Sequence, residues 1–156
     1  QHLGSGSPTG RDRKRGGCNQ ALGRSRGGLT TKIHLAVDTW GRPLRVILTP
    51  GQAGDAPQAP ALMEGFTPMY VLADKAYDSR HNRNCIATLG ATAVIPCQST
   101  RKHQVPYDRE IYKARNRIER CFNKLKHFRR IATRYDRRAD YFLAFILIAA
   151  TMIWMR

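Results

Sequence analysis

The longest helical pattern of apolar and polar positions lies late in the chain, in Tyr112 to Lys126 (YKARNRIERCFNKLK). It holds no Pro or Gly and few β-branched residues, which favours a helix. At 100° per residue, Tyr112, Arg115, Glu119 and Lys126 form one polar stripe within about 60°. Ile111, Ala114, Ile118, Cys121, Phe122 and Leu125 form an apolar face beside it. Glu119 therefore sits at the border of the packed face, among Arg115, Arg117, Arg120 and Lys124. On the pattern alone, a solvated helix with charge pairs on its surface is the simpler account.

Elsewhere the pattern changes. Thr30 to Asp38 (TTKIHLAVD) alternates and is rich in β-formers, which predicts a strand. Thr39 to Arg42 reads as a hairpin turn and Pro43 to Thr49 as the returning strand. Asp38 closes the first of these, where Asp commonly bonds local backbone. Asp55 is placed to N-cap a helix over Ala56 to Glu64. Met69 to Ala73 and Ala91 to Ile95 are short apolar runs that predict buried strands. Between them, Ser79 to Leu89 reads as a helix stopped by Gly90. Gln98 to Pro106 is a basic polar loop, and the long helix follows from about Asp108. Tyr141 to Met155 is strongly apolar but too short to span a bilayer, so it predicts a buried core helix and no membrane partner. The order is strand, strand, helix, strand, helix, strand, helix, helix, which predicts a mixed α/β domain over residues 29–156.

Residues 1–28 are rich in Gly, Ser and Arg and lack apolar periodicity, which predicts a flexible basic arm. Arg11, Arg13, Lys14, Arg15, Arg24 and Arg26 supply its charge. The whole chain carries +16, from 27 Lys and Arg against 11 Asp and Glu. Such an imbalance favours a polyanionic partner, nucleic acid before an anionic membrane surface. The four cysteines show no metal-ligand spacing and read as free thiols of a reducing compartment. No signal-peptide pattern is present. The opening Gln1 in place of Met points to a fragment or a processed chain.

Two carboxylates have matching placements. Asp74 directly follows a buried strand, the end at which open α/β sheets gather their chemistry, although a plain turn Asp explains it as well. Glu119 lies on a helix able to pack beside that strand. Acidic residues amid a basic surface suit a divalent metal at a phosphodiester, with cations holding the backbone and carboxylates holding the metal.

The spacing of Tyr112, Arg115, Glu119 and Lys126 resembles the Tyr-Arg-Glu-Lys motif of bacterial insertion-sequence transposases with a DDE active site, of the IS-four/IS-five-like kind. Leu72 to Ser79 (LADKAYDS) resembles their second acidic block. Ala21 to Asp38 and His127 to Arg138 are also similar to that family, so the likeness runs from about Gly16 to Arg156. The resemblance implies a ribonuclease-H-like mixed sheet flanked by helices. It implies Mg²⁺- or Mn²⁺-dependent cleavage at transposon ends, then attack of a 3′-hydroxyl on target DNA. Asp74 and Glu119 would be the second and third catalytic metal ligands. Tyr112, Arg115 and Lys126 would position DNA or the carboxylates. The implied partners are double-stranded DNA, a second copy in a synaptic complex, and an N-terminal transposase portion. The implied location is the bacterial cytoplasm, at the nucleoid.

The chain departs from the family at its start, where the expected upstream DNA-binding helices and the first strand are both absent. The first acidic ligand belongs to a strand ahead of the basic arm, and that strand is missing. Asp12 has no apolar strand around it, and Asp38 ends what corresponds to the second strand. The expectation is a C-terminal catalytic portion without the first Asp, or else a non-catalytic DNA-binding remnant. Either form binds duplex DNA through phosphates, so log affinity should fall steeply and linearly with log salt in a titration. A flat salt dependence would count against a nucleic-acid partner.

Overall fold

A computed structural model of the chain describes residues 20–25 and 28–155. Three strands form an antiparallel sheet in the order β1 (Gly23–Ser25), β2 (Gly28–Val37), β3 (Pro43–Pro50). Residues 20–25 belong to the segment expected as an arm. They pair with the start of β2, Gly23 opposite Thr30. The arm's remaining residues, with Arg11, Arg13, Lys14, Arg15 and Arg26, lie outside the described ones.

The hairpin joining β2 and β3 follows from its turn chemistry. Asp38 Oδ1 accepts from the backbone amides of Trp40 and Arg42, both at 2.9 Å. Gly41 takes φ +79°, which a side chain would disfavour. Asp38 is thus the turn residue the pattern predicts.

A short helix α1 (Ala59–Met63) follows a 3₁₀ turn, so the helix expected over Ala56 to Glu64 is divided. Asp55 does not cap it. Its backbone is itself helical, and its carboxylate is drawn to Lys32 at 3.3 Å and His34 at 3.5 Å. Strand β4 (Tyr70–Leu72) leads through a 3₁₀ turn into α2 (Arg80–Thr88), then into β5 (Thr92–Val94). Ser79 Oγ caps α2 by accepting from the Asn82 amide, and Gly90 ends it at φ +72°.

The expected long helix is interrupted. Helix α3 (Arg109–Lys113) and helix α4 (Asn116–Lys126) meet at Ala114 and Arg115. There the backbone bonds tighten to i→i+3, as in Ala114 to Ile111 and Arg115 to Tyr112. A four-residue helix α5 (Arg129–Ala132) and the apolar helix α6 (Ala139–Trp154) complete the chain. Among the described residues no helix is long and apolar enough to cross a membrane.

The mixed α/β class holds, but the strands form two ladders. Strands β4 and β5 pair in parallel by themselves. The bonds from Thr92 to Met69 and from Ala73 to Val94 aim alternate residues of β4 at β5. In a parallel pair this leaves the backbone groups of Tyr70 and Leu72 on the opposite edge. No ladder among the described residues uses that edge.

Strand β2 is covered on both faces. Ile33, Leu35 and Val37 meet a core built from Cys121 and Leu125 of α4, Ile131, and Phe142, Ile146, Ala149 and Ile153 of α6. His34 faces the other way, 2 % exposed, with Nε2 2.7 Å from Thr49 Oγ1. A basic stretch that looks free in sequence is partly structural. Arg134 donates to the carbonyls of Gln20, Ala21, Asp136 and Arg137 and to Thr31 Oγ1.

Burial pushes the His34 pKa below 6.5, and nearby Lys32 acts in the same direction against Asp55. The unfolded chain therefore binds a proton first as pH falls, and acid favours unfolding in that window. Urea midpoints should drop between about pH 7.5 and about pH 5.5, and by less in His34→Gln. An unchanged pH dependence in that variant would contradict the assignment.

Candidate active site

Asp74 leaves the end of β4 exposed to solvent. Its Oδ1 accepts from the Ala76 amide at 2.8 Å and so caps the following 3₁₀ turn. This bond occupies one of the two carboxylate oxygens.

Glu119 lies in the first turn of α4, half exposed. Its Oε1 accepts from the Arg115 guanidinium at 2.5 Å. Arg115 in turn lies 5.6 Å from the Tyr112 ring centroid, and Tyr112 meets Tyr107 edge to face at 5.4 Å. Hydrogen bonding to Glu119 is the main reason the Arg115 pKa is raised, and Asp74 adds to it. The Tyr112 pKa is raised chiefly by burial, opposed by Arg115 and assisted by Asp74. Tyr77, in the turn after Asp74, is pushed up to about 12 by burial, then by Asp55 and Asp74.

These couplings bring Asp74, Tyr112, Arg115 and Glu119 into one electrostatic neighbourhood. Lys126 is not drawn into it. It is exposed in the last turn of α4, seven residues beyond Glu119 and roughly 10 Å along the axis. It shares the polar stripe, while no hydrogen bond or ion pair among the described residues ties it to the cluster.

A third acid beside Asp74 has a different task. Asp78 is buried, with Oδ1 accepting from Arg83 at 2.8 Å and Arg101 at 2.6 Å. Its Oδ2 accepts from the Gln98 amide at 2.9 Å. Burial alone would raise its pKa, but the Gln98 amide and the two guanidiniums outweigh it, so the carboxyl is held below 3.8. Asp78 thus straps the loop after β5 onto the turn that carries Asp74. Arg101, charged and loop-borne in sequence, is committed to this anchor. The pattern singles out neither residue, because their pairing spans 23 positions.

Hard oxygen donors are what Mg²⁺ or Mn²⁺ takes, and Asp74 and Glu119 are of that kind. Two such groups alone fall short of what these ions take. Among the described residues no group of three His, Cys, Asp or Glu side chains is placed to hold a metal ion. The guanidinium of Arg115 also occupies Glu119.

Comparison with known proteins agrees with the class that this fold and site suggest. Residues 5–154 match the family model described as transposase DDE domain. The chain belongs to that family. It is 46% identical over 130 residues to a protein of Brucella ovis named as a transposase for insertion sequence element IS6501, covering 82% of this chain and 100% of that protein. It is 31% identical over 135 residues to a Burkholderia cepacia protein named likewise for IS402, covering 79% of this chain and 62% of that one. No solved structure matches it.

Proposed function

We propose that the chain is the C-terminal catalytic portion of a DNA transposase of the insertion-sequence kind, with a ribonuclease-H-like fold. It would act in cleavage and strand transfer at the ends of its element. Asp74 and Glu119 would be the second and third acidic ligands for Mg²⁺ or Mn²⁺. The observation that carries this reading is the shared electrostatic neighbourhood of Asp74, Arg115 and Glu119 in a chain of net charge +16.

The residues have distinct tasks in this reading. Asp74 presents a free carboxylate oxygen at the end of β4. Arg115 holds Glu119 in one orientation until a metal cation competes for the carboxylate or a DNA phosphate for the guanidinium. Tyr112 keeps its phenolic proton and can donate it to a phosphate oxygen. Lys126, farther along the stripe, would meet the backbone of bound duplex.

Two carboxylates cannot complete the site, and the edge of β4 that no strand among the described residues uses suggests how it is completed. A strand entering beside Tyr70 and Leu72 would pair with their unused backbone groups and could carry a third acid next to Asp74. An N-terminal transposase portion would supply it. Two copies of the assembled protein would hold two element ends at the nucleoid, with residues 1–28 supplying basic contacts to DNA. A second reading, a DNA-binding remnant that does not turn over, draws support from the pairing of Glu119 with Arg115 and from the incomplete ligand set.

Mixing the chain with a segment carrying the missing strand separates the two. Mg²⁺-dependent nicking of transposon-end DNA should appear only in the mixture. It should fall by at least about 100-fold in Glu119→Ala and in Asp74→Ala. DNA binding without nicking would establish the remnant. Robust nicking by the chain alone would contradict the two-part site.

A further inference from the structure

Helix α4 carries a second charged flank that the acidic site does not use. Arg117, Arg120 and Lys124 lie about 100° to 160° around the helix from Glu119. All three are exposed. With Trp40, Gly41 and Cys121 they line a concavity of about 150 Å³ between the helix and the tip of the β2–β3 hairpin. No carboxylate lines it.

The hairpin tip is fixed against this flank. Arg117 donates to the Thr39 carbonyl. A Cβ at Gly41 would come within 3.2 Å of the Arg117 carbonyl oxygen, so the two backbones are closely apposed. Trp40 is 74 % exposed, so its ring is open to solvent. It is also held. The Arg42 guanidinium lies over the Trp40 ring at 4.6 Å and over the Trp154 ring at 4.0 Å. Asp38 locks that guanidinium at 2.7 Å, and Trp154 Nε1 donates to the Pro43 carbonyl at 2.7 Å. One face of Trp40 is therefore backed by a stacked cation, and the ring is oriented before any ligand arrives. The neighbouring Cys121 thiol is buried, and burial raises its pKa, so it adds no negative charge.

We propose that this flank binds a single-stranded DNA segment. An unstacked base lies on the open face of Trp40, and the phosphates beside it meet Arg117, Arg120 and Lys124. A held aromatic face next to a row of cations is the combination that grips single strands without reading sequence. Bases inside a duplex keep their faces stacked on each other and cannot use Trp40. The surface therefore suits a strand already separated, such as a frayed or processed end. It is separate from the Asp74 and Glu119 cluster, and it rests on the proposed function only for the choice of DNA as partner.

Binding of a short oligothymidylate tests this by anisotropy and tryptophan quenching, which read binding independently of nicking. Trp40→Ala should weaken binding roughly 5- to 150-fold, the range of base–aromatic stacking. Trp40→Phe should retain most of the affinity and lose most of the quenching. The pair Arg120→Gln and Lys124→Gln should reduce the log–log salt slope by about 1.4. Because Trp40 is mostly solvent-exposed, the circular dichroism of the Trp40 variants should be unchanged. Wild-type affinity in Trp40→Ala overturns the proposal, as does equal quenching by a duplex of the same length. Loss of nicking with this binding intact would bear only on the acidic site.

Discussion

The seam between α4 and strand β2 determines where everything else can go. Cys121 and Leu125, each 1 % exposed, press on Leu35 and on Phe142 and Ile146 of α6. Burying side chains of this size contributes on the order of 1.5–3 kcal/mol each, far more than any surface ion pair here. That burial fixes the rotation of α4 about its axis. Once the rotation is set, Glu119 points along one edge of the seam and Arg117, Arg120 and Lys124 along the other. The Arg115–Glu119 ion pair adds little stability. Its consequence is orientation, because it holds a carboxylate at one place on a helix that the core has already aimed.

The second constraint is the edge of β4 that no ladder among the described residues uses. A parallel pair of three-residue strands is small, and its outer backbone groups need a partner in a finished sheet. The same strand ends in Asp74. Among the described residues the unused edge and the two-carboxylate set thus meet at one strand, and in the proposed reading one inserted strand would address both. Asp78 ties the loop after β5 to the turn that carries Asp74, through its two guanidinium partners and the Gln98 amide.

Much of this was legible in the chain. Alternation located the hairpin, and Asp38 proved to be the turn residue its position suggested. The DKAYDS block put an acid at a strand end, and the 3.6-residue stripe put Glu119 at the edge of a buried face. Other features depend on contacts that no local pattern encodes. The break at Ala114 and Arg115 has no Pro or Gly to announce it. Asp55 follows a strand and loop that suggest an N-cap, but buried His34 and half-exposed Lys32 claim its carboxylate. Strand β1 lies in a segment whose Gly and Arg content argues for a loop, and it owes its order to β2 and to the carbonyls that Arg134 collects. Trp40 reads as an ordinary turn residue in sequence, because nothing local announces that the Arg42 guanidinium lies over its ring and over that of Trp154.

The central claim is that the end of β4 and the polar stripe beside it form a single site. The Tyr112 phenol reports on this directly, because the Asp74 charge helps to raise its pKa. Titrating ¹³C-labelled tyrosine by NMR in the parent chain and in Asp74→Asn isolates that contribution. The Tyr112 midpoint should fall when the Asp74 charge is removed. An identical midpoint in the two proteins would mean that Asp74 and the Tyr112–Glu119 segment do not share a site.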